Sequence, residues 1–422
     1  MKKIFKLMAM AVVAMAAVTF TACNADDDYF VTPQSDEYAA ETRSSDNSVT
    51  INNTGSKGVL VLEEGNMTSE NGFLNFIPGG ANQYYHTMVT GKRIANVCQD
   101  LYIYNDKIYI IAQNTETGSN KGGVLTVKNA VNFATTKTYT SEISGANNPT
   151  HVAVYNDNVI YLRGSGEKYD GTGSGNGIYR FNVSDNTFKR LDDGGATAAA
   201  TPMVIVGKYL YVCYNDGVRV YDAATQSVEF SKVSDIAGAQ CVVKSTDGTK
   251  VYVYSSKNIY EITPSVDALK ATRKGTTSAA ISTWSNSAQV SYYNDALYYA
   301  TAAGAAYRFD LADGVNSSLG SIYTGASQTV IGSTMYNGVA VDPGTGYLYV
   351  ATTTYGTTYS DVNALNVFDV KNGAFTRVQT FVGDERFTAG IFFPENFGCD
   401  NVGTGQYETK TPEKYVKGEF YE

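Results

Sequence analysis

Short runs in which apolar and polar residues alternate fill most of the chain, and tight turns separate them. In six places two such runs flank a turn containing Asn, Asp or Gly: Asn105-Asp106, Asn156-Asp157, Gly207-Lys208, Asp247-Gly248, Asn294-Asp295 and the loop from Asp342. Alternation with a period of two predicts half-buried β-strands. Asn, Asp and Gly tolerate the positive φ angles that short hairpin turns require. The pattern therefore predicts six β-hairpins.

A tyrosine in the second strand of each hairpin sets the period of a repeat. These residues are separated by 41 to 52 positions: Tyr109, Tyr161, Tyr211, Tyr252, Tyr298 and Tyr349. A third apolar run follows each hairpin, and a weaker fourth run often follows that. A repeat of about 40 to 50 residues with four strands per unit is typical of a β-propeller.

The two ends of the repeat complete each other. The run at residues 58–66 lies one period before the strand of Tyr109, so it corresponds to the second strand of a blade. No first strand precedes it, and the third and fourth strands follow at residues 71–77 and 82–89. Near the other end, residues 388–394 form an apolar run with no partner after it. We expect this run to complete the first blade, which removes the exposed edges of an open array. The prediction is an all-β, seven-bladed propeller over residues 58–399; stacked sandwich domains are the alternative.

The N-terminal residues predict export and a lipid anchor. Residues 1–22 combine a basic start, a short apolar run and small residues, as signal peptides do. Cys23 follows directly, so we expect a lipoprotein anchored through Cys23, with a plain secretory cut after Ala22 as the alternative. Residues 23–57 are acidic and then polar, which predicts a tether, and residues 400–422 predict a polar tail.

The net negative charge of the chain limits the kinds of partner that we expect it to bind. Removing residues 1–22 takes away Lys2, Lys3 and Lys6 and no acidic residue, so the formal charge moves from −9 to −12. Such a chain without a basic block is not expected to bind nucleic acid, or anionic lipid beyond its own acyl anchor. The acidic run 26–28 after Cys23 resembles the signal that sends some bacterial lipoproteins to the outer face of the outer membrane; simple solvation is the alternative. We expect a surface-exposed outer-membrane location.

Motifs for catalysis or metal binding are sparse. The chain has two histidines, His86 and His151, and no zinc-binding spacing. The acidic pairs Glu63-Glu64 and Asp192-Asp193 are interpreted as solvated turns and strand ends in preference to glycosidase carboxylates. We expect a binding protein without enzymatic activity, metal or cofactor. No essential disulfide is expected among the remaining cysteines, Cys98, Cys213, Cys241 and Cys399.

Propeller topology indicates which loops share a face. Loops between the outer strand of one blade and the inner strand of the next lie on the same face as loops between second and third strands. Aromatic and hydrogen-bonding residues of these loops suit a wide, shallow binding surface; the alternative is that they only cap the channel. The candidate ligand-binding residues are Gln99, His151, Trp284, Tyr336, Tyr355 and Phe387.

Residues 58–66 and 71–76, with "AGIFFP" at 389–394, resemble the opening and closing strands of DUF5074. The resemblance covers about residues 58–399 of a YncE-like β-propeller family that includes BtuG-type, cobalamin-binding surface lipoproteins. Glu63 stands where that family often has Asn. The resemblance implies that the protein captures vitamin B12 or another corrinoid as a ligand and passes it to a TonB-dependent transporter of the BtuB type. A surface glycan-binding lipoprotein and, less favoured, a propeller lyase or glycosidase are the alternatives.

Overall fold

The computed structural model describes most of the chain between residues 50 and 410. The residues in this range that it leaves out are 67–69, 85–87, 90–93, 117–118, 168–173, 193–195, 226, 234, 279–289, 302, 323–328, 331–336, 354–363, 383–387 and 408. The described part contains thirty β-strands, one short α-helix, α1 (Pro264–Asp267), and 3-10 helices at Ser141–Ile143, Lys371–Gly373 and Pro394–Phe397. None of its helices has the length and apolar character needed to cross a membrane.

The strands form seven antiparallel sheets, or blades, each of which runs from an inner strand at the channel to the rim. From its inner strand outward, blade 1 contains β29 (Thr388–Phe392), β1 (Thr50–Asn66), β2 (Glu70–Tyr84), β3 (Met88–Val89) and β30 (Thr409–Lys410). Blade 2 contains β4 (Asn96–Tyr104), β5 (Lys107–Glu116), β6 (Ser119–Asn129) and β7 (Thr135–Tyr139). Blade 3 contains β8 (Asn147–Asn156), β9 (Val159–Glu167), β10 (Ser174–Asn182) and β11 (Thr187–Arg190).

The other four blades follow the same order. Blade 4 contains β12 (Val204–Val206), β13 (Tyr209–Tyr214), β14 (Gly217–Asp222) and β15 (Phe230–Lys232). Blade 5 contains β16 (Ala239–Lys244), β17 (Val251–Ser255), β18 (Asn258–Ile262) and β19 (Ala271–Thr276). Blade 6 contains β20 (Ser291–Tyr293), β21 (Ala296–Ala300), β22 (Ala305–Asp310) and β23 (Asn316–Ser321). In blade 7, β24 (Thr329–Val330) and β25 (Val339–Val341) both pair with β26 (Tyr347–Thr353), which precedes β27 (Ala364–Asp369) and β28 (Thr376–Val382).

Strand β29 closes the ring, as the split ends of the repeat predicted. It pairs antiparallel with β1, with Leu60 opposite Phe392 and Val61 opposite Ile391. The inner strands then contact one another around the ring, from β29 through β4, β8, β12, β16, β20 and β25 back to β29. The prediction of a seven-bladed propeller whose first blade is completed by a C-terminal strand is confirmed.

The predicted turns join the inner and second strands on one face, which we call the lower face; the opposite face is called the upper face. Asn105, Gly207 and Asn294 have φ angles of 51°, 59° and 45°, in the left-handed region that these residue types tolerate. In blade 3 the two residues between the paired Asn156 and Val159 form the turn. Blades 5 and 7 use longer connections, which begin after Lys244 and Val341.

The repeated tyrosine packs each blade against the next one. All six of these tyrosines lie on second strands, and none exposes more than 3% of its surface. Tyr161, for example, belongs to the cluster shared with Leu210 and Val212 of blade 4. The hydroxyl of Tyr349 donates to Asn53 Oδ1 in blade 1 at 3.2 Å. An aromatic ring at this position buries a large area, and its hydroxyl still reaches a partner, which explains the period seen in the sequence.

The apolar cores lie between neighbouring blades. Separate clusters of buried residues fill the interfaces of blades 2 and 3, 3 and 4, 4 and 5, 5 and 6, and 6 and 7, and the largest joins blades 7, 1 and 2. Cys98, Cys213, Cys241 and Cys399 are buried, free thiols. Burial raises the pKa of Cys98 and of Cys241 to about 12, so both thiols stay protonated at neutral pH.

Blade 1 differs in detail from the sequence-based boundaries. Strand β1 begins at Thr50, before the position 58 at which the propeller was expected to start, and pairs with β2 through Tyr84. Of the predicted fourth-strand run 82–89, residues 82–84 belong to β2, and Met88–Val89 form the described part of the fourth strand. The cause is the long β2, which continues through residues that the alternation assigned to the next strand.

Residues 394–407 and 409–410, which we call the strap, cross the lower face from the channel to the rim. The 3-10 helix Pro394–Phe397, the strap helix, begins directly after Phe393. Phe397 packs edge-on against Tyr102 of blade 2, with ring centroids 5.0 Å apart, and Lys244 Nζ of blade 5 lies 5.9 Å from the Phe397 ring. Blades 2 and 5 lie across the ring from each other, so Phe397 lies near the axis and covers the lower mouth of the channel.

The rest of the strap binds blades 1 and 2. The backbone N–H groups of Gly403 and Gly405 donate to the carbonyl groups of Ala130 and Val131 at 2.9 and 3.0 Å. Tyr407 packs edge-on against two buried rings, with centroids 5.9 Å from Phe76 and 5.0 Å from Phe133. Strand β30 then pairs with the outer edge of blade 1. The chain beyond residue 399 therefore packs on the ring as far as Lys410.

Two truncations test the closure. A chain ending at residue 387 lacks β29 and leaves the inner edge of β1 unpaired, so we expect it to lose cooperative unfolding. A chain ending at residue 400 keeps β29 but loses the Tyr407 contacts, so we expect a cooperative transition about 5 °C lower. Thermal melts followed by circular dichroism distinguish the two; a cooperative melt of the shorter chain would contradict the closure.

Candidate functional site

The strap makes the two faces of the ring unequal. Because Phe397 covers the lower mouth of the channel, a ligand that uses the channel must approach from the upper face. The inner strands β4 and β8 begin at that face, and the second strands end there. The upper face is therefore the candidate functional surface.

The hairpins of the upper face differ in height. From the repeated tyrosine to the end of the second strand there are seven residues in blade 2 (Tyr109 to Glu116) and three in blade 4 (Tyr211 to Tyr214). At roughly 3.3 Å per residue the hairpin of blade 2 projects about 13 Å farther. Blade 3 also has a long hairpin, paired out to Glu167 and Ser174. The rim is high over blades 2 and 3 and low over blades 4 and 5, where two-residue turns end the hairpins.

Two predicted ligand-binding residues are placed beneath this rim, and both are buried. Gln99 is 3% exposed and its amide Nε2 donates to Glu64 Oε1 at 3.1 Å. His151 is 1% exposed and its Nδ1 lies 3.0 Å from Asp100 Oδ2. Gln99 thereby joins blade 2 to blade 1, and His151 joins blade 3 to blade 2. Trp284, Tyr336, Tyr355 and Phe387, together with the lipidation residue Cys23, lie outside the described residues.

Asp100 is the centre of the bridge between blades 2 and 3. Its Oδ1 accepts the backbone N–H of Leu101 at 2.8 Å, and its Oδ2 accepts that of Val152 at 3.2 Å. The contact with Oδ2 favours the tautomer in which His151 Nδ1 bears the proton. His151 Nε2 is then an acceptor, and it is buried with no hydrogen-bond partner among the described residues. Asp100 and His151 are oriented like a carboxylate that positions a catalytic base. No nucleophilic side chain among the described residues hydrogen-bonds to His151 Nε2.

An arginine bridge connects blade 3 to the chain that enters blade 4. Arg163 Nη1 donates to Thr150 Oγ1 at 3.1 Å, and Nη2 donates to the Ala198 carbonyl at 3.0 Å. Arg163 lies opposite His151 on the neighbouring strand β9. Sequence reasoning missed Arg163 and assigned no role to the Asp100 carboxylate. The adjacent Gln99-Asp100 at the start of an inner strand was the available signal.

The interpretation of the acidic pairs as solvated is wrong for one member of each. Glu63 is fully buried and its Oε1 accepts a hydrogen bond from Asn75 Nδ2 at 3.2 Å. Asp192 is 4% exposed; its Oδ1 lies 2.8 Å from Arg190 Nη2, and its Oδ2 accepts the Tyr214 hydroxyl at 3.1 Å. Although burial lowers it, the pKa of Arg190 is raised overall by the hydrogen bond that its guanidinium donates to Asp192. Both carboxylates have partners that the sequence pattern did not reveal.

The buried carboxylates of the described residues are engaged within the fold. In the part of the chain that the structure describes, no three His, Cys, Asp or Glu side chains converge as metal ligands. Asp100 and Asp192 both accept hydrogen bonds from neighbouring groups. The buried polar groups therefore link the blades below the upper face, whose described hairpins differ in height.

A family model named "Domain of unknown function (DUF5074)" matches residues 57–395. The chain belongs to the DUF5074 family. The matched region spans the propeller from β1 to the strap helix of this DUF5074 protein. No curated protein matches the chain.

Three solved structures resemble the DUF5074 chain at 11% sequence identity. A chain of the nidogen/laminin complex has a TM-score of 0.40 and covers 61% of this chain and 91% of its own. The computationally designed Ika8 protein has a TM-score of 0.44, and the match covers 79% of this chain and 90% of the Ika8 chain. A functionally unknown protein from Desulfotomaculum acetoxidans DSM 771 has a TM-score of 0.48, and the match covers 80% of this chain and 99% of that protein's chain.

The Asp100 bridge can be tested by a matched pair of substitutions. Asp100→Asn replaces an acceptor with an amide N–H among buried donors, so we expect the free energy of unfolding to fall by about 3 kcal/mol. The control Asp157→Asn removes a surface pair, in which Asp157 Oδ1 lies 2.6 Å from Lys107 Nζ, and is expected to cost less than about 1 kcal/mol. Chemical denaturation measures both; equal losses would contradict a special role for Asp100.

Proposed function

We propose that this DUF5074 protein is a surface-exposed outer-membrane lipoprotein that captures vitamin B12 or another corrinoid and passes it to a TonB-dependent transporter of the BtuB type. The observation behind the proposal is the one-sided channel. The strap covers the lower mouth through Phe397, so the upper face and its uneven rim form a cup. A wide cup suits a bulky, disc-like ligand better than a small one.

The chemistry of the upper face supports an amide-rich ligand. Corrinoids have many amide side chains and no group of high charge, so they bind through numerous hydrogen bonds. Asp192 pairs with Arg190, and Asp100 accepts backbone hydrogen bonds within the fold, so neither carboxylate is available as a charged contact for a ligand. The long hairpins of blades 2 and 3 offer a wall, and the low blades 4 and 5 leave space beside it.

The N-terminal sequence supports the location and the handover. Cys23 after residues 1–22 supplies the lipid anchor of the proposal, and the acidic run 26–28 supplies the signal for surface display. The chain enters the ring at Thr50, so 26 residues separate that position from Cys23. A connection of this length lets an anchored propeller stay close to a transporter in the same membrane.

The proposal assigns no catalytic role to the Asp100–His151 pair. A hydrolytic site needs a nucleophile or an activated water held by the base. His151 Nε2 has no hydroxyl or thiol within hydrogen-bond distance among the described residues. The pair is therefore assigned to the packing of blades 2 and 3.

Binding can be tested with the only tryptophan of the chain as a probe. Trp284 is the single tryptophan, and corrinoids absorb light in the range of tryptophan emission. We expect cyanocobalamin to quench the fluorescence of the mature protein in a saturable way, and calorimetry to give the same dissociation constant. Trp284→Phe should lose the fluorescence signal, since the assay then has no tryptophan donor, and should bind more weakly in calorimetry, since Trp284 is a candidate ligand-binding residue.

The alternatives predict other results. Retention of the protein by polysaccharide gels without any heat of binding to cyanocobalamin would replace the corrinoid proposal with a glycan-binding one. Turnover of a polysaccharide that disappears on replacing an upper-face carboxylate would indicate a lyase or glycosidase. Corrinoid binding without a physical complex with a BtuB-type transporter would limit the protein to capture.

A further inference from the structure

Three chain segments meet at the closure seam on the lower face. They are the start of β1, the turn between β25 and β26, and the strap helix. Asn53 and Asp342 are each fully buried, and Glu395 of the strap helix is partly buried. We call these three residues the seam. They are distant in sequence, so only ring closure brings them together.

Each seam residue uses one polar atom and leaves another without a partner. Glu395 Oε1 accepts the backbone N–H of Lys57 at 2.7 Å, and Asp342 Oδ1 accepts that of Gly344 at 2.8 Å. Asn53 Oδ1 accepts the Tyr349 hydroxyl. Glu395 Oε2, Asp342 Oδ2 and Asn53 Nδ2 are buried and have no hydrogen-bond partner among the described residues.

Among the described residues, the positive charge that acts on Glu395 is that of Lys57, which lowers the pKa of the Glu395 carboxyl but is outweighed by burial. Lys57 Nζ is directed to Asp400, 3.9 Å away, and its side chain is 50% exposed. The other titratable groups facing Asp342 are phenols, and burial raises the pKa of Tyr293, Tyr347 and Tyr349, so they are neutral. Two charged carboxylates in this place would repel each other and would also lose hydration.

We propose that the seam is a proton-operated clasp, which Glu395 holds shut as a neutral carboxylic acid and which loosens when Glu395 ionises. The neutral acid is a donor, and Asp342 Oδ2 is an acceptor that has no other partner among the described residues. The donor Nδ2 of Asn53 suits carboxyl oxygens and does not suit a metal cation. Because Glu395 and Phe397 belong to the same short helix, loosening the clasp also loosens the cover of the lower channel mouth.

The pKa of Glu395 has the direction that such a clasp needs. Burial raises the pKa of Glu395 to about 7. The backbone N–H groups of Glu395 and Lys57 and the charge of Lys57 oppose this shift, and the charge of Asp342 reinforces it. The folded state then binds this proton more tightly than the unfolded state, in which the carboxyl has its ordinary pKa of 4.5. The stabilisation is complete below that ordinary value and is lost as the pH rises through about 7.

Glu395→Gln tests the clasp, since the amide mimics the neutral acid and retains an acceptor for Lys57 N–H. We expect the folding equilibrium constant of the wild-type protein to fall roughly tenfold to a hundredfold between pH 5 and pH 8. The variant should match the wild type at pH 5 and exceed it at pH 8. Glu229→Gln, at an exposed glutamate of blade 4, is the matched control and should follow the wild-type curve.

Hydrogen exchange provides a local readout. The amides of Gly398 and Cys399 donate to the carbonyl groups of Glu395 and Pro394, both at 3.1 Å. After correction for intrinsic exchange, their protection should fall with rising pH in the wild type and stay level in Glu395→Gln. Parallel stability curves for the wild type and the variant would overturn the proposal. Stabilisation by added calcium that Glu395→Gln abolishes would also overturn it, in favour of a cation site.

Discussion

The antiparallel pairing of β29 with β1 is the interaction on which the rest of the structure depends. A blade contacts only its two neighbours, so a linear array of such units ends in exposed edges and half-covered apolar faces. Pairing Leu60 with Phe392 and Val61 with Ile391 joins the ends of the array. It completes the largest apolar cluster, which spans blades 7, 1 and 2. Every interface between blades is then covered on both sides.

The same closure makes the two faces of the ring different. Once β29 is in place, the chain leaves it at the lower face, and the strap helix brings Phe397 to the axis. The strap then continues to the rim of blade 1, where Tyr407 contacts Phe76 and Phe133. One segment therefore completes the ring and covers the lower mouth, so the channel is open to the upper face alone among the described parts of the chain.

Buried polar residues link neighbouring blades beneath the upper face. Gln99 bonds Glu64 across blades 1 and 2, and His151 contacts Asp100 across blades 2 and 3. Such groups are costly to bury unless every donor and acceptor is placed well. Their positions between blades explain why residues that look available for a ligand in the sequence are less than 4% exposed in the fold.

Local patterns along the chain determined the strands, the hairpin turns, the tyrosine period and the split first blade. These features depend on neighbours within one unit, where alternation and turn chemistry act directly. The burial of Glu63 and Asp192, the contact between Asp100 and His151, and the path of the strap depended on the tertiary structure. Asp100 and His151 are 51 residues apart, and no local pattern records which side chain a neighbouring blade will place opposite. Burial and partnership of a polar group are properties of the closed ring, whereas strand and turn are properties of the sequence.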